Sequence, residues 1–347
     1  MPKDRRPVLT LPEDPDNRAT DPSEDLPRLG RLSRLRLTLK VDLVREYTVV
    51  ISFLALFITL SFASDVFLTP RNLLNILDQW SDTGIIACGG TLVISAGGFD
   101  LSVGAIFALA GVTAATVTLS TGSSPVGLLA GMAMGTLWGA MNGVWVTVGR
   151  VNPFIVTLAT SIIITGVALS LTHGQLVHVT TPGFEELGRG KWFGIRISIL
   201  VFAAFALILS YVLSRTVAGR YIYAAGGNPE AARLSGVPVG WVRAATFAVS
   251  GLSAGLGGVL VTSRVSTGEA DTGSQVVLLA IAAIVIGGTS IFGGQGAIWR
   301  TVLGVLLFAM IGNGFNLLGI DAVYQQMFEG GIILAAVLFD VWVRRSV

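Results

Sequence analysis

The scarcity of charge over most of the chain constrains its fold more than any motif does. Of 44 Asp, Glu, Lys and Arg residues, 19 stand in the first 46 positions, leaving 25 for the 301 that follow. Soluble domains carry roughly 25% charged residues, against 13% across the 347 residues here, with 52% hydrophobic. Water cannot cover a surface so poor in charge. A bilayer core of roughly 30 Å is crossed by about 20 apolar helical residues, and lipid tolerates only backbone whose N–H and C=O groups are satisfied internally. The expected fold is therefore an all-α polytopic membrane protein over 47–347. Residues 1–46, rich in Pro, Asp and Arg, read as a charged, disordered cytoplasmic tail ending in an amphipathic stretch over 32–44. They are too long and too charged for the start of a secretory signal, so no cleavage is expected.

Ten apolar segments are expected to span: 47–62, 83–97, 103–119, 126–148, 154–171, 195–213, 244–261, 276–286, 301–318 and 324–343. With the N-terminus inside, 18 of the 23 Lys and Arg residues fall on the inner side and five on the outer, as the positive-inside rule requires. Both termini are then cytoplasmic. The second and eighth segments are short and run into Gly97-Gly98 and Gly287-Gly288. Short, glycine-interrupted segments in comparable places of two halves point to broken helices around a translocation path. Glycines that merely let helices pack closely are the alternative.

Polar groups inside the apolar segments are few. Asp100 precedes the third segment, where it suits an N-cap, with substrate contact as the other reading. Asp340 has Arg344 one turn away as an ion-pair partner. Glu329, followed by Gly330-Gly331, has no evident local partner and is a candidate lining residue. Ser102, Asn142, Asn152, Phe154 and Asn313 complete the candidate pathway set, with helix bridging the alternative role for the asparagines.

Several chemistries are excluded by composition. The single cysteine, Cys88, rules out a disulfide framework and a thiolate metal site. Two histidines, His173 and His178, make no metal centre. No G-x-x-x-x-G-K-[ST] occurs, and the only lysines are Lys3, Lys40 and Lys191, so the chain builds no Walker phosphate site. Neither an HExxH motif nor a nucleophile elbow is present. No catalytic residue, cofactor, metal or nucleic-acid partner is expected.

The longest inner loop between segments, 214–242, contains a complete set of helix signals. Asn228 suits the N-cap, Pro229 the first turn and Glu230 the positive end of the dipole. Gly236 suits the position after the helix, and Pro238 blocks continuation. A helix over 229–235 is about 10 Å long and too short to persist alone in water. It needs a surface to pack against, and its Glu230 and Arg233 suggest another protein.

Four stretches carry a family resemblance: Gly97-Gly98-Phe99-Asp100-Leu101-Ser102-Val103-Gly104; Val151-Asn152-Pro153-Phe154-Ile155-Val156-Thr157-Leu158; Gly226-Gly227-Asn228-Pro229-Glu230-Ala231-Ala232-Arg233-Leu234-Ser235-Gly236; and Gly287-Gly288-Thr289-Ser290 with Gly293-Gly294. In this order they resemble the inner-membrane permease subunit of the ribose/xylose/autoinducer-type ABC importers. Phe99 stands where that family more often has Ile, and the charged tail is longer than the family leads one to expect. The resemblance implies two permease copies around one monosaccharide path in the bacterial inner membrane. It also implies a cytoplasmic tandem ATP-binding-cassette ATPase and a periplasmic sugar-binding protein. By the same resemblance, Asn228, Pro229, Glu230, Ala231, Ala232, Arg233, Leu234 and Gly236 form the element that couples the ATPase to the spans. An ion-coupled secondary transporter using Asp100 or Glu329 is the competing reading, and a receptor or scaffold that does not transport is a third.

Overall fold

The computed structural model describes residues 47–345, so the tail 1–46 lies outside the described residues. The expected Asp340–Arg344 pair likewise lies outside the described side chains. The chain opens with α1 (Tyr47–Ala63), α2 (Pro70–Gln79), α3 (Ser81–Ser95), α4 (Val103–Thr121), α5 (Ser124–Thr147) and α6 (Pro153–Thr172). Strand β1 (Val177–His178), the one-turn α7 (Glu186–Arg189) and strands β2 (Lys191–Trp192) and β3 (Ile195–Arg196) follow. Next come α8 (Ile197–Arg215), α9 (Val217–Gly227), α10 (Pro229–Leu234) and α11 (Val239–Val265). Strand β4 (Thr267–Gly268), α12 (Ser274–Ile286), α13 (Ile298–Leu317) and α14 (Ala322–Arg345) complete the described chain.

By length and composition, α4, α6, α8, α11 and α13 are each able to cross a membrane, while α1, α3 and α12 are shorter apolar helices. Each of the ten expected segments falls on one helix, with ends displaced by a few residues. The largest displacement is α11, which begins at Val239 rather than at 244. Arg243 interrupts the apolar run, yet its guanidinium is satisfied by the carbonyls of Ala96 and Ala225 at 3.0 and 3.2 Å, so the helix continues through it. Helices α2 and α9 were not expected. Both start at a threonine that caps the first turn, Thr69 onto the Asn72 N–H and Thr216 onto the Gly219 N–H, and both are too polar or too short to register as spans.

Helix α11 is the axis of the bundle, packed on α3, α4 and α5. Its fit against α5 explains much of the glycine content. Gly127, Gly131, Gly135, Gly139 and Gly143 recur every fourth residue on α5 and are buried, Gly127 against α4, Gly131 against α4 and α11, and the last three against α11. A Cβ at Gly135 would lie 2.5 Å from the Gly251 carbonyl oxygen, and one at Gly139 would lie 2.7 Å from Gly251 Cα. Such backbone contact is how helices gain dispersion energy where lipid supplies no hydrophobic drive between them.

The loops gather at two ends. At one, β1 pairs antiparallel with β4, Arg196 Nε meets Asp78 Oδ2 at 2.9 Å, and Arg264 meets Asp82 at 3.3 Å. Asp82 lies in the first turn of α3 and is buried. The expectation that only Asp100, Glu329 and Asp340 bring carboxylates into or beside the spans is thereby corrected, because α3 starts two residues early. At the other end lie both glycine breaks, α9, α10 and the turn between α5 and α6.

Candidate functional site

The two short helices end in the same way. At the end of α3, N–H groups of Ala96, Gly97 and Gly98 donate to the carbonyls of Leu92, Ile94 and Val93. At the end of α12, those of Gly287, Gly288 and Thr289 donate to Ala283, Val285 and Ile284 with identical spacing. Gly97 and Gly288 both have φ +78°, the left-handed conformation that closes a Schellman cap and that glycine adopts without penalty. Each helix is thus stopped by its own sequence, and the freed backbone is satisfied locally.

The breaks are then joined to each other and to α9. The Gly294 N–H donates to the Ser95 carbonyl at 2.9 Å. Gly226, near the end of α9, sits between them. A Cβ there would lie 2.0 Å from the Ser95 oxygen and 2.6 Å from Gly294 N. Three backbones meet with no side chain between them. Arg243 spans the same junction through Ala96 and Ala225, and the Tyr223 hydroxyl donates to the Gly296 carbonyl at 2.7 Å.

Helix α10 follows α9 directly and packs on α9 and α11 beside this junction. Asn228 Oδ1 accepts from the Ala231 N–H at 3.0 Å, Pro229 occupies the first turn, and Gly236 ends the helix at φ +83°. Those are the cap assignments the sequence predicts. Ala232 is buried with Ala225 and Val239, which anchors α10 to α9 and α11. The opposite face is open: Glu230 and Arg233 pair at 3.3 Å in solvent, and Leu234 is 84% exposed. Leu234, Glu230 and Arg233 thus form an exposed face of α10 opposite its buried Ala232.

Beside the α3 break lies a buried polar cluster. Asp100 Oδ1 accepts from the Ser102 N–H and hydroxyl at 3.0 and 2.6 Å, and Oδ2 accepts from the Ser250 hydroxyl at 2.8 Å. Asn142 Nδ2 donates to Ser102 Oγ at 2.8 Å. Asp100, Ser102 and Asn142 are all buried in the chain. The N-cap expectation for Asp100 needs correction: the residue before α4 is Ser102, and Asp100 accepts from that residue's N–H rather than from the first turn. The cluster ties the break to α5 and α11.

The remaining candidates are scattered. Asn152 caps α6, accepting from the Phe154 N–H at 2.9 Å, and Phe154 is exposed beside it. Asn313 forms a reciprocal amide pair with Asn72 at 3.0 and 2.8 Å, bridging α13 to α2. Glu329 has a local partner after all, Gln325, whose Nε2 donates to it at 2.8 Å one turn away. Sequence reasoning missed Ser250, Arg243 and Tyr223. No local pattern marks them, because each acts on a segment far away in the chain.

Residues 72–337 match the family of branched-chain amino acid transport system permease components. The chain belongs to that family. It is 39% identical over 302 residues to the ribose import permease of Escherichia coli strain K12, covering 85% of this chain and 93% of the relative. To the ribose import permease of Bacillus subtilis strain 168 it is 40% identical over 293 residues, 83% and 91% of the two chains. The L-arabinose ABC transporter permease of Azospirillum brasilense is 37% identical over 305 residues, 88% and 90% of the two chains. No solved structure matches. The protein is thus a multi-pass membrane permease component of an ABC transporter and not an enzyme.

Proposed function

We propose that this chain is the transmembrane subunit of an ABC importer that moves a monosaccharide or related polyol across the bacterial inner membrane. Two copies enclose the path, a separate tandem-cassette ATPase hydrolyses ATP, and a periplasmic protein delivers the sugar. The relatives named for ribose and L-arabinose support the substrate class. The observation that carries the coupling role is the seating of α10: its buried Ala232 packs on α9 and α11, the Gly226 of α9 lies between the two helix breaks, and the free face of α10 carries Leu234, Glu230 and Arg233. A pull on α10 from outside would reach both breaks together. On this reading all ten apolar segments cross the bilayer, with both termini and α10 on the cytoplasmic side. Asp100, Ser102 and Asn142 hold the break in place, while Asn152 and Phe154 belong to the wall of the path.

The test is uptake of radiolabelled ribose and arabinose into proteoliposomes holding this chain and its ATPase. Binding protein is supplied outside, and ATP is present or absent inside. Uptake that requires internal ATP is the expected result. Uptake without ATP that an ionophore collapses would overturn the importer reading and return the carboxylates Asp100 and Glu329 to the centre.

A further inference from the structure

Each of the two helix breaks buries a hydroxyl. Ser95 is the last residue of α3, and Thr289 follows the Gly287-Gly288 stop of α12. Both side chains are fully enclosed, at 0% exposure. Burial strips water from a hydroxyl, and native structures almost always return a partner. Elsewhere in the bundle that partner is a carbonyl one turn back: Thr91 takes Ala87, Thr113 takes Leu109 and Thr172 takes Ala168. Among the described residues, Ser95 Oγ and Thr289 Oγ1 take none.

The two orphans are neighbours. A Cβ on Gly296 would lie 2.5 Å from Ser95 Oγ and 3.1 Å from Thr289 Oγ1. One point is thus close to both oxygens, which brings them within reach of a single bridging molecule, yet they do not bond each other. Any side chain at 296 would close on Ser95 Oγ. One turn earlier on α3, Thr91 Oγ1 meets Thr301 Oγ1 of α13 at 2.8 Å, again with both residues fully buried. Thr91 and Ser95 therefore face Thr301 and Thr289 along a hydroxyl seam. The first pair bonds directly and the second does not.

Two hydroxyls with nothing else to bond need an occupant that both donates and accepts. The groups that meet at this point are hydroxyls and backbone, with no carboxylate to hold a cation. Water meets both conditions, and buried water typically serves polar groups that the chain itself leaves unsatisfied. We propose that one ordered water bridges Ser95 Oγ and Thr289 Oγ1 and completes the seam between the two breaks. It adds to the direct bond from the Gly294 N–H to the Ser95 carbonyl at 2.9 Å. The turn after α12 is then tied to the end of α3 through both the main chain and the side chain of Ser95. The proposal does not depend on the transport reading.

The full-length wild-type chain, reconstituted in nanodiscs and imaged at a resolution that shows ordered water, should carry a density peak within hydrogen-bonding distance of both oxygens. Direct contact between the oxygens, or a separate partner for each, would overturn the bridge. A peak that grows when bromide replaces chloride in the buffer would overturn water in favour of an anion. Thermal unfolding gives a second measurement, read by a thiol-reactive dye at the buried Cys88. Thr289→Val keeps the shape of the side chain and removes its hydroxyl. Its midpoint should fall by several degrees, because the bridge is lost. A midpoint equal to or above the wild type would mean that the hydroxyl had no partner to lose. Ser95→Ala should also lower the midpoint, and the double variant should lose less than the two singles together, since both give up the same water. Additive losses would overturn the shared bridge.

Discussion

Gly226 is the residue on which the junction most depends. An alanine methyl there would be driven into the Ser95 carbonyl and the Gly294 nitrogen, both backbone atoms that cannot rotate away. Gly226→Ala should cost about 1–3 kcal/mol, as overpacking does. Cys88 supplies the measurement, being the single cysteine and fully buried, so a thiol-reactive dye reports its exposure as the protein is heated. The midpoint should fall by several degrees in Gly226→Ala. Gly166→Ala, with nothing near its Cβ position, should leave it unchanged or raise it. Asp100 makes a second case. Asp100→Ala leaves the Ser102 N–H and the Ser102 and Ser250 hydroxyls without their acceptor, at about 1–3 kcal/mol for each buried group left unsatisfied. In Asp100→Asn the hydroxyls can rotate to meet the amide, so the same dye should show a small shift. Uptake per folded protein should persist in Asp100→Asn; its loss in a stable protein would mean that the negative charge itself serves transport.

Helix α10 was legible in the sequence almost to the residue, because every signal that defines it is local: Asn228, Pro229, Glu230, Gly236 and Pro238 all lie within eleven positions. The double-glycine breaks were legible for the same reason. Helix α9 was not. Its polar Arg220 and Tyr223 gave it the composition of a loop, and its cap, Thr216, gains meaning only once Gly226 is seen against Ser95. The α5 glycine repeat is visible as a spacing, yet its partner on α11 lies more than 100 residues away and no periodicity names it. At this scale the free face of α10 makes the sharper prediction. Glu230→Arg loses only a solvent-exposed ion pair, worth about 0–1 kcal/mol, and Leu234→Ser removes a side chain that touches little of its own chain. Both variants should insert and melt like the wild type, while ATP-driven uptake falls at least about tenfold, the effect of losing roughly 1.4 kcal/mol at a partner surface. Co-purification with the ATPase checks the cause. Normal uptake by Leu234→Ser would remove α10 from the coupling role.

The whole molecule turns on which end faces the cytoplasm. Beyond the tail, the inner side is assigned eight basic residues and the outer side five, a narrow margin for the positive-inside rule. The structure adds a reason of its own. At the end with the β1–β4 pair three arginines are matched: Asp78 holds Arg196 and the Ser198 hydroxyl, Asp82 holds Arg264, and Glu185 holds Arg189. At the opposite end Arg243 is held by carbonyls rather than by a carboxylate, and Arg150 makes no ion pair among the described residues. Unmatched positive charge belongs beside the anionic cytoplasmic leaflet, and the matched end tolerates the other side at little cost. With Cys88 replaced by Ala, single cysteines at two exposed positions decide it, Gln175→Cys near the matched end and Ser235→Cys at the end of α10. A membrane-impermeant maleimide should label Gln175→Cys in intact spheroplasts and Ser235→Cys only after permeabilisation. The reverse pattern would turn the molecule over and place α10 where no ATPase can reach it. The junction of Ser95, Gly226 and Gly294 would then be a packing device with nothing to transmit.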